Sequence, residues 1–319
     1  MLKKIFISAV LLLAVLSFVV SLLKGNNNNE KTVSVPDRVA VINIEGTIVC
    51  GADSKENLFH QASGVTSGTI MKQIREAAAD DSVKALVLRI DSGGGSATAA
   101  EEVGRELLRF KEQTKKPIVA TMGNTGASAA YWIAACASDK IYANATTLTG
   151  SIGVYMPYMN TEELFKKIGI TSDKIKSGPY KDIMSNDRPM TAEEKAILQN
   201  IVDEIYDQFV YTVSAGRRME TSKVREIADG RIYTGRQAKN IGLVDELGDY
   251  YDALAAAGTL AKIKLGKDGL PPVKEREKQQ PWEYLLSAEI ANLIKSELVQ
   301  QFQSSLVGST APSVQNMTR

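Results

Sequence analysis

Ser128 lies in the run Gly126-Ala-Ser-Ala-Ala130, after a predicted strand and at the start of a predicted helix. A serine at this place can act as a nucleophile, because small neighbours let a substrate backbone approach its hydroxyl. The free amides of a helix start can bind the negative charge that develops on a carbonyl oxygen under attack. The same run also suits tight packing of a helix on a sheet, so the motif alone leaves both interpretations open.

A serine nucleophile needs a base, and the chain has one histidine, His60, in a predicted loop. A lysine can replace it when burial lowers its pKa, because desolvation disfavours the charged form. Lys176 and Lys181 are candidates, since Gly178-Pro179 predicts a loop that can aim a lysine into a cleft. Asp182 beside Lys181 would also fit a charged surface pair. The residue types alone therefore do not choose between the two lysines.

Three glycine-marked turns follow predicted strands, at Gly93-Gly94-Gly95, Gly123–Gly126 and Thr149–Ser151. The carboxyl ends of parallel strands collect at one edge of a sheet, where sites in open α/β folds usually form. An oxyanion hole at this edge would take the amide of Ala129 as one donor. Gly94 or Gly95 would supply the second.

The elements that position these turns are short, β-branched runs separated by helical patterns. This alternation predicts a parallel α/β core. The predicted strands are Val39–Ile44, Ala85–Ile90, Ile118–Met122 and Ile141–Ala143, and the predicted helices are Ala99–Lys111, Ser128–Ala137 and Thr161–Ile168. Further on, Thr191 and Glu194 form a capping box before a helix with Ile197, Ile201, Ile205 and Phe209 on one face. Leu243–Gly248 is predicted to be a late strand and turn.

Composition excludes several classes of function. The formal net charge is +1, which gives no electrostatic reason to expect a nucleic-acid partner. Two cysteines, Cys50 and Cys136, match neither a disulfide framework nor a metal spacing, although a single pair between them stays open. No cofactor or metal is expected from this sequence.

The N-terminal segment predicts a membrane anchor. Ile5 to Leu23 is an uncharged run of 19 residues, which as a helix spans about 28 Å, close to the thickness of a bilayer core. Lys3 and Lys4 precede it and favour a cytoplasmic N-terminus. The rest of the chain is therefore expected on the outer side of the cytoplasmic membrane. A cleaved signal peptide is the main alternative. We expect an anchor over 1–24, a flexible linker over 25–37, a catalytic domain over 38–262 and a C-terminal amphipathic helix and disordered tail over 263–319.

The ordered set of motifs resembles signal peptide peptidase A, in its short, single-domain form typical of Gram-positive bacteria. The motifs occur in a fixed order, and together they cover roughly Val39 to Ala261. They are Asp91-Ser-Gly-Gly-Gly95, Gly126-Ala-Ser-Ala-Ala130, Leu148-Thr-Gly-Ser-Ile-Gly153, Lys176-Ser-Gly-Pro-Tyr-Lys-Asp182, Asp229-Gly-Arg-Ile-Tyr-Thr-Gly-Arg-Gln-Ala238 and Leu243–Gly248. The sequence departs from the family pattern at Gly93, where the family usually has proline. Because proline would restrict the backbone, the first glycine loop is expected to be more flexible in this chain.

The resemblance implies a fold akin to the Clp protease subunit and crotonases, with a β-β-α superhelical core. It implies a serine protease in which Ser128 is the nucleophile and Lys181, not Lys176, is the general base. Ser151 would orient the lysine, and the amides of Gly95 and Ala129 would form the oxyanion hole. The substrates would be cleaved signal peptides, and the chain would assemble into a homo-oligomeric ring at the membrane.

Three other functions remain open at this point. A related Ser/Lys membrane protease would cleave a specific membrane partner protein. A crotonase-like acyl-CoA enzyme would use the same oxyanion loops without a nucleophile, but the predicted anchor argues against it. A non-catalytic scaffold would have no need of Ser128, Ser151 and Lys181 together.

Overall fold

The computed structural model describes residues 36–52 and 64–274 of the 319-residue chain. The predicted anchor over Ile5–Leu23, most of the linker, His60 and the C-terminal amphipathic helix lie outside these residues. Within the described ranges, none of the helices has the length and apolarity that a membrane span requires. The described residues up to Val273 form one compact unit, which contains the central strands of the sheet and the candidate site.

A mainly parallel sheet and its flanking helices account for most of the described residues, and this confirms the predicted α/β class. The strands in chain order are β1 (Arg38–Glu45), β2 (Thr47–Val49), β3 (Gly64–Thr66), β4 (Val83–Ser92), β5 (Ile118–Ala127), β6 (Lys140–Ala143), β7 (Leu148–Gly150), β8 (Ile232–Thr234), β9 (Glu246–Leu247) and β10 (Val273–Lys274). The helices are α1 (Ser67–Ala79), α2 (Ala97–Thr114), α3 (Ala129–Ala137), α4 (Glu162–Lys167), α5 (Ala192–Arg217), α6 (Thr221–Ile227), α7 (Gly235–Asn240) and α8 (Tyr250–Leu260).

The order of strands in the main sheet is β10-β1-β4-β5-β6-β9. Strand β5 forks, because its first half pairs with β6 and its last three residues pair with β7. Strand β8 joins β7 in the antiparallel direction, while the pairs β1–β4, β4–β5 and β5–β6 are parallel. The fork places the carboxyl ends of β4, β5 and β7 side by side.

Alternating side chains of the central strands pack on the two faces of the sheet. On β4, Leu88 and Ile90 lie in the larger core, which α1, α2 and α3 cover. Ala85 and Val87 lie on the opposite face against α8. Strands covered on both faces are nearly continuous apolar runs, as in other buried parallel sheets. This is why the strand predictions from β-branched runs were confirmed for β1, β4, β5 and β6.

Strand β5 is longer than predicted, and the prediction that it ends at Met122 is wrong. It continues through Gly123–Gly126 to Ala127. The carboxylate of Asp91 accepts hydrogen bonds from the Thr125 amide and the Asn124 side chain, each at 3.0 Å. These bonds hold the glycine-containing segment in the sheet where a turn was expected. The nucleophile candidate therefore follows directly from a strand.

The capping box at Thr191 and Glu194 is confirmed, with both reciprocal hydrogen bonds present at the start of α5. The predicted buried face of this helix is confirmed only in its second half, where Phe209 is buried. Ile197 and Ile201 are 37% and 40% exposed. The periodicity therefore identified the helix but not how much of its apolar face the single chain covers.

Residues 263–273 continue the same compact unit. Ile263 is buried against the sheet, and the Pro272 carbonyl accepts a hydrogen bond of 2.9 Å from the Val39 amide. This part of the chain therefore belongs structurally with the sheet up to Val273.

Candidate active site

Ser128 occupies a strained backbone position between β5 and α3. Its φ and ψ are 55° and −126°, a region that residues other than glycine rarely adopt. The Ser128 amide donates to the Gly150 carbonyl at 2.9 Å, and its carbonyl accepts from the Trp132 amide at 2.9 Å. Among the described residues its hydroxyl has no hydrogen-bond partner. The backbone therefore holds the half-buried Ser128 side chain in a sharp turn between a strand and a helix, with its hydroxyl available for reaction. This arrangement is typical of a serine nucleophile.

The strain at Ser128 predicts a measurable effect on stability. Ser128→Gly should unfold with a free energy about 1 kcal/mol higher than Ser128→Ala, because glycine adopts this backbone region without a Cβ penalty. Urea unfolding of the two inactive variants compares them without any effect of catalysis. Equal stability of the two variants, or a less stable glycine variant, would contradict the strain assigned to this turn.

The first glycine loop lies directly against Ser128. Gly94 has φ 104°, and a Cβ on it would lie 2.8 Å from the Ser128 Cβ and 2.9 Å from the Ala129 nitrogen. The Gly94 carbonyl accepts a hydrogen bond of 3.0 Å from the Ile48 amide, which fixes the loop to β2. The exposed Gly93, in contrast, has room for a Cβ, which would meet no atom within 4 Å. Glycine is therefore required at Gly94 for close approach, and not at Gly93.

The glycine loop and the start of α3 each contain one amide that can serve as an oxyanion donor. Within the described part of the chain, neither the Ala129 nor the Gly95 amide has a hydrogen-bond acceptor. The Gly94 amide is already used, because it donates to the Ser92 hydroxyl at 3.1 Å. Of the two glycines that the sequence left open as second donor, Gly95 is thus the one with a free amide. Two such donors close to a serine can bind an oxyanion.

Ser151 is held beside Ser128 by the antiparallel pair of β7 and β8. Its φ is 50° and follows a φ of 81° at Gly150, and its amide donates to the Arg231 carbonyl at 2.8 Å. The Tyr233 ring fills the place that a Cβ on Gly150 would occupy, at 2.7 Å. The Asp229–Ala238 motif thus supports this turn. The sequence identified the motif without indicating this contact.

The two candidate lysines differ in their partners. Lys176 forms an ion pair of 2.8 Å with Asp182, which also receives a hydrogen bond from Arg188 at 2.8 Å. Arg188 and Lys176 hold the pKa of this carboxyl well below its usual range. Lys181 is exposed and, among the described residues, makes no ion pair with Asp182 or any other group. The surface pair of Lys181 and Asp182 suggested by adjacency is therefore absent there.

The structure does not bring Lys181 into contact with Ser128. The described hydrogen bonds and ion pairs of residues 154–190 all stay within residues 158–194, so none connects this segment to the sheet. The segment also carries a set of exposed apolar side chains. They are Tyr155, Tyr158, Met159, Leu164, Ile168, Ile170, Ile175, Tyr180 and Met184. In a single chain the Ser128 half of the site is formed, and the lysine segment lies uncovered.

Both cysteines are free. Cys50 is exposed at the end of β2, with its sulfur 3.4 Å from the Ser96 hydroxyl. Cys136 is partly buried in α3, and burial raises the pKa of its thiol to about 11. The disulfide that the sequence left open is therefore not formed.

Comparison with known proteins identifies the family. Residues 110–264 match Peptidase family S49. A putative protease of Synechocystis is 46% identical over 191 residues, which are 60% of this chain and 68% of that protein. The chain belongs to peptidase family S49. It is therefore a serine protease, and the matched residues include Ser128, Ser151 and Lys181.

Two further relatives carry more specific names. A putative signal peptide peptidase of Enterococcus faecium is 37% identical over 217 residues, 68% of this chain and 62% of that protein. Protease 4 of Haemophilus influenzae is 37% identical over 227 residues, 71% of this chain and 35% of that protein. The S49 chain thus spans about a third of the length of Protease 4. These names, and the resemblance in the motifs, place it among proteases of the signal peptide peptidase A type.

Proposed function

We propose that the protein is a membrane-anchored endopeptidase that degrades remnant signal peptides through a Ser128–Lys181 dyad, on a core akin to the Clp protease and crotonases. The observation that carries the proposal is the turn at Ser128. A strained backbone presents a serine hydroxyl there which, like the nearby amides of Ala129 and Gly95, has no hydrogen-bond partner among the described residues. Tight helix packing alone would need neither the strain nor the free amides.

The reaction proceeds through an acyl-enzyme. The unprotonated amine of Lys181 accepts the Ser128 proton as the serine oxygen attacks the scissile carbonyl carbon. The amides of Gly95 and Ala129 stabilise the oxyanion. The C–N bond then breaks, and Lys181 returns the proton to the leaving amine. Water then attacks the ester carbonyl carbon while Lys181 takes a proton from it. Lys181 gives this proton to the Ser128 oxygen as the ester bond breaks, and the carboxylic acid product leaves. Ser151 orients the lysine amine by hydrogen bonding.

The residues around Ser128 support an apolar, extended substrate. Gly126, Ala127, Ala129 and Ala130 have small side chains, so a peptide backbone can approach the serine closely. Signal peptides contain a short apolar region and small residues near their cleavage site. The relative named as a signal peptide peptidase supports the same substrate class.

Assembly of several copies supplies what the single chain lacks. The segment that carries Lys181 exposes an apolar face, which is typical of an interaction surface. A lysine base also needs burial, because a charged amine cannot accept a proton. We propose that a homo-oligomeric ring covers this face, buries Lys181 and brings it to Ser128, with the catalytic domain outside the cytoplasmic membrane.

The full-length protein in detergent tests the proposed substrate. Synthetic signal peptides, a hydrophilic peptide of equal length and an intact preprotein are incubated with the enzyme and analysed by mass spectrometry. We expect cleavage of the signal peptides within their apolar region, at least ten times slower cleavage of the hydrophilic peptide, and no cleavage of the preprotein. Equal cleavage of both peptides would contradict the proposed substrate class. It would not contradict the mechanism, which Ser128→Ala and Lys181→Ala test separately.

A further inference from the structure

Ser92 lies next to the glycine loop, outside the residues that the mechanism uses. The residue is 2% exposed. Its hydroxyl donates to the Gly46 carbonyl at 2.5 Å and accepts from the Gly94 amide at 3.1 Å. We propose that Ser92 is a positioning residue that aims the Gly95 amide at the oxyanion, an inference that rests on the proposed function of the loop. It makes no contact with the reacting atoms, and it acts through the glycine backbone.

The bonds around Ser92 fix two successive peptide planes. Ser92 holds the plane that contains the Gly94 amide. The Ile48 amide binds the Gly94 carbonyl at 3.0 Å and so holds the next plane, which contains the Gly95 amide. Because a trans peptide is planar, its N–H points opposite to its C=O. The Gly95 amide therefore points away from Ile48, and among the described residues it has no acceptor.

The composition of the loop makes this support necessary. Three glycines in succession have wide conformational freedom, and rotation of either peptide plane would turn the Gly95 amide away from the site. The Gly46 amide also binds the Asp91 carbonyl, at 3.1 Å, so Ser92 and Asp91 together join the β1–β2 turn to the loop. Removing the Ser92 hydroxyl leaves the buried Gly94 amide without its partner.

A positioning role predicts a specific kinetic pattern. The oxyanion amide binds charge that develops mainly in the transition state, so its misplacement lowers kcat more than it raises KM. We expect Ser92→Ala to lower kcat about 30-fold or more, approaching the roughly 10²- to 10³-fold loss caused by removal of an oxyanion donor, and to change KM less than about 3-fold. A peptide aldehyde that forms a tetrahedral adduct should lose affinity by a similar factor.

The experiment compares four variants of the full-length protein. Ser92→Ala removes the hydroxyl, and Ser92→Cys keeps its volume with a much weaker hydrogen-bonding group, which guards against a packing defect in the alanine variant. Ser138→Ala is the matched control. Ser138 is also buried, at 7% exposed, but its hydroxyl has no partner among the described residues. Ser128→Ala reports on the proposed function itself. Hydrogen exchange of the 92–96 amides is measured for each variant.

The outcomes separate the two proposals. We expect both Ser92 variants to stay folded, lose kcat and exchange the Gly94 amide at least ten times faster, while Ser138→Ala matches wild type. If Ser128→Ala is inactive but folded Ser92 variants keep kcat within 3-fold, the role of Ser92 is overturned. Unchanged exchange of the 92–96 amides, or a rise in KM alone, overturns it as well. If Ser128→Ala keeps its activity, the proposed function fails, and exchange still decides whether Ser92 holds the loop.

Discussion

Ser128→Ala and Lys181→Ala are each expected to lower kcat for a fluorogenic signal-peptide substrate by about 10⁴-fold or more. The nucleophile and its base act as one unit, so the loss of either stops acyl-enzyme formation. Ser128 is held by the Gly150 carbonyl and by α3 through backbone groups, so its side chain can be removed without disturbing these bonds. Steady-state kinetics of the assembled protein, with circular dichroism to verify folding, measure the effect.

Lys176→Ala is the matched control for the base. Lys176 lies five residues before Lys181 in the same segment but is bound to Asp182 at 2.8 Å. Its loss should change kcat less than about 10-fold, because Arg188 still binds Asp182. A Lys181→Ala variant with wild-type rates, or a Lys176→Ala variant as inactive as Ser128→Ala, would contradict the assignment of the base.

Gly95→Ala is expected to lower kcat about 10²-fold or more. The φ of Gly95 is 153°, and a Cβ there would lie 2.0 Å from the Ile48 carbonyl oxygen. Because this contact is with backbone, the loop has to move by about 1 Å, enough to misplace an oxyanion donor. The same kinetic assay measures the effect, with the KM for the peptide reported separately.

Gly93→Ala is the control for Gly95→Ala. A Cβ on Gly93 meets no atom within 4 Å, so alanine should leave kcat within about 2-fold of wild type. It should also raise the free energy of unfolding by about 0.5 kcal/mol by restricting the unfolded chain. If the two variants have equal activity, the position of the Gly95 backbone is not important for catalysis.

The sheet was predictable because its strands are buried on both faces. Runs such as Ala85–Ile90 contain apolar side chains on both sides, and their β-branched composition is a strong local signal. The end of β5 was not predictable in this way. Its glycines indicate a turn locally, and they stay in the sheet because the carboxylate of Asp91, 33 residues or more away, binds Asn124 and Thr125. Such a contact has no signature in the local sequence.

The site could be predicted in part for a similar reason. Ser128 and the glycine loop could be predicted because each lies in a short motif of small residues that can be recognised in the sequence. The partners of the two lysines could not be predicted, because they depend on the conformation of the loop. Asp182 pairs with Lys176 and Arg188 and not with its neighbour Lys181. The contact of Tyr233 with Gly150 joins elements about 80 residues apart in sequence. Periodicity also could not show which apolar faces, such as that of Ile197 and Ile201, stay uncovered in one chain.

Covalent trapping of the nucleophile tests the dyad most directly. The assembled protein is treated with a fluorophosphonate probe, digested and analysed by mass spectrometry, and the rate of labelling is measured for wild type, Lys176→Ala and Lys181→Ala. We predict one adduct, on the Ser128 hydroxyl, formed at similar rates in wild type and Lys176→Ala and at least 10²-fold more slowly in Lys181→Ala. An adduct on another serine, or equal labelling of Ser128 in Lys181→Ala, would contradict the Ser128–Lys181 mechanism.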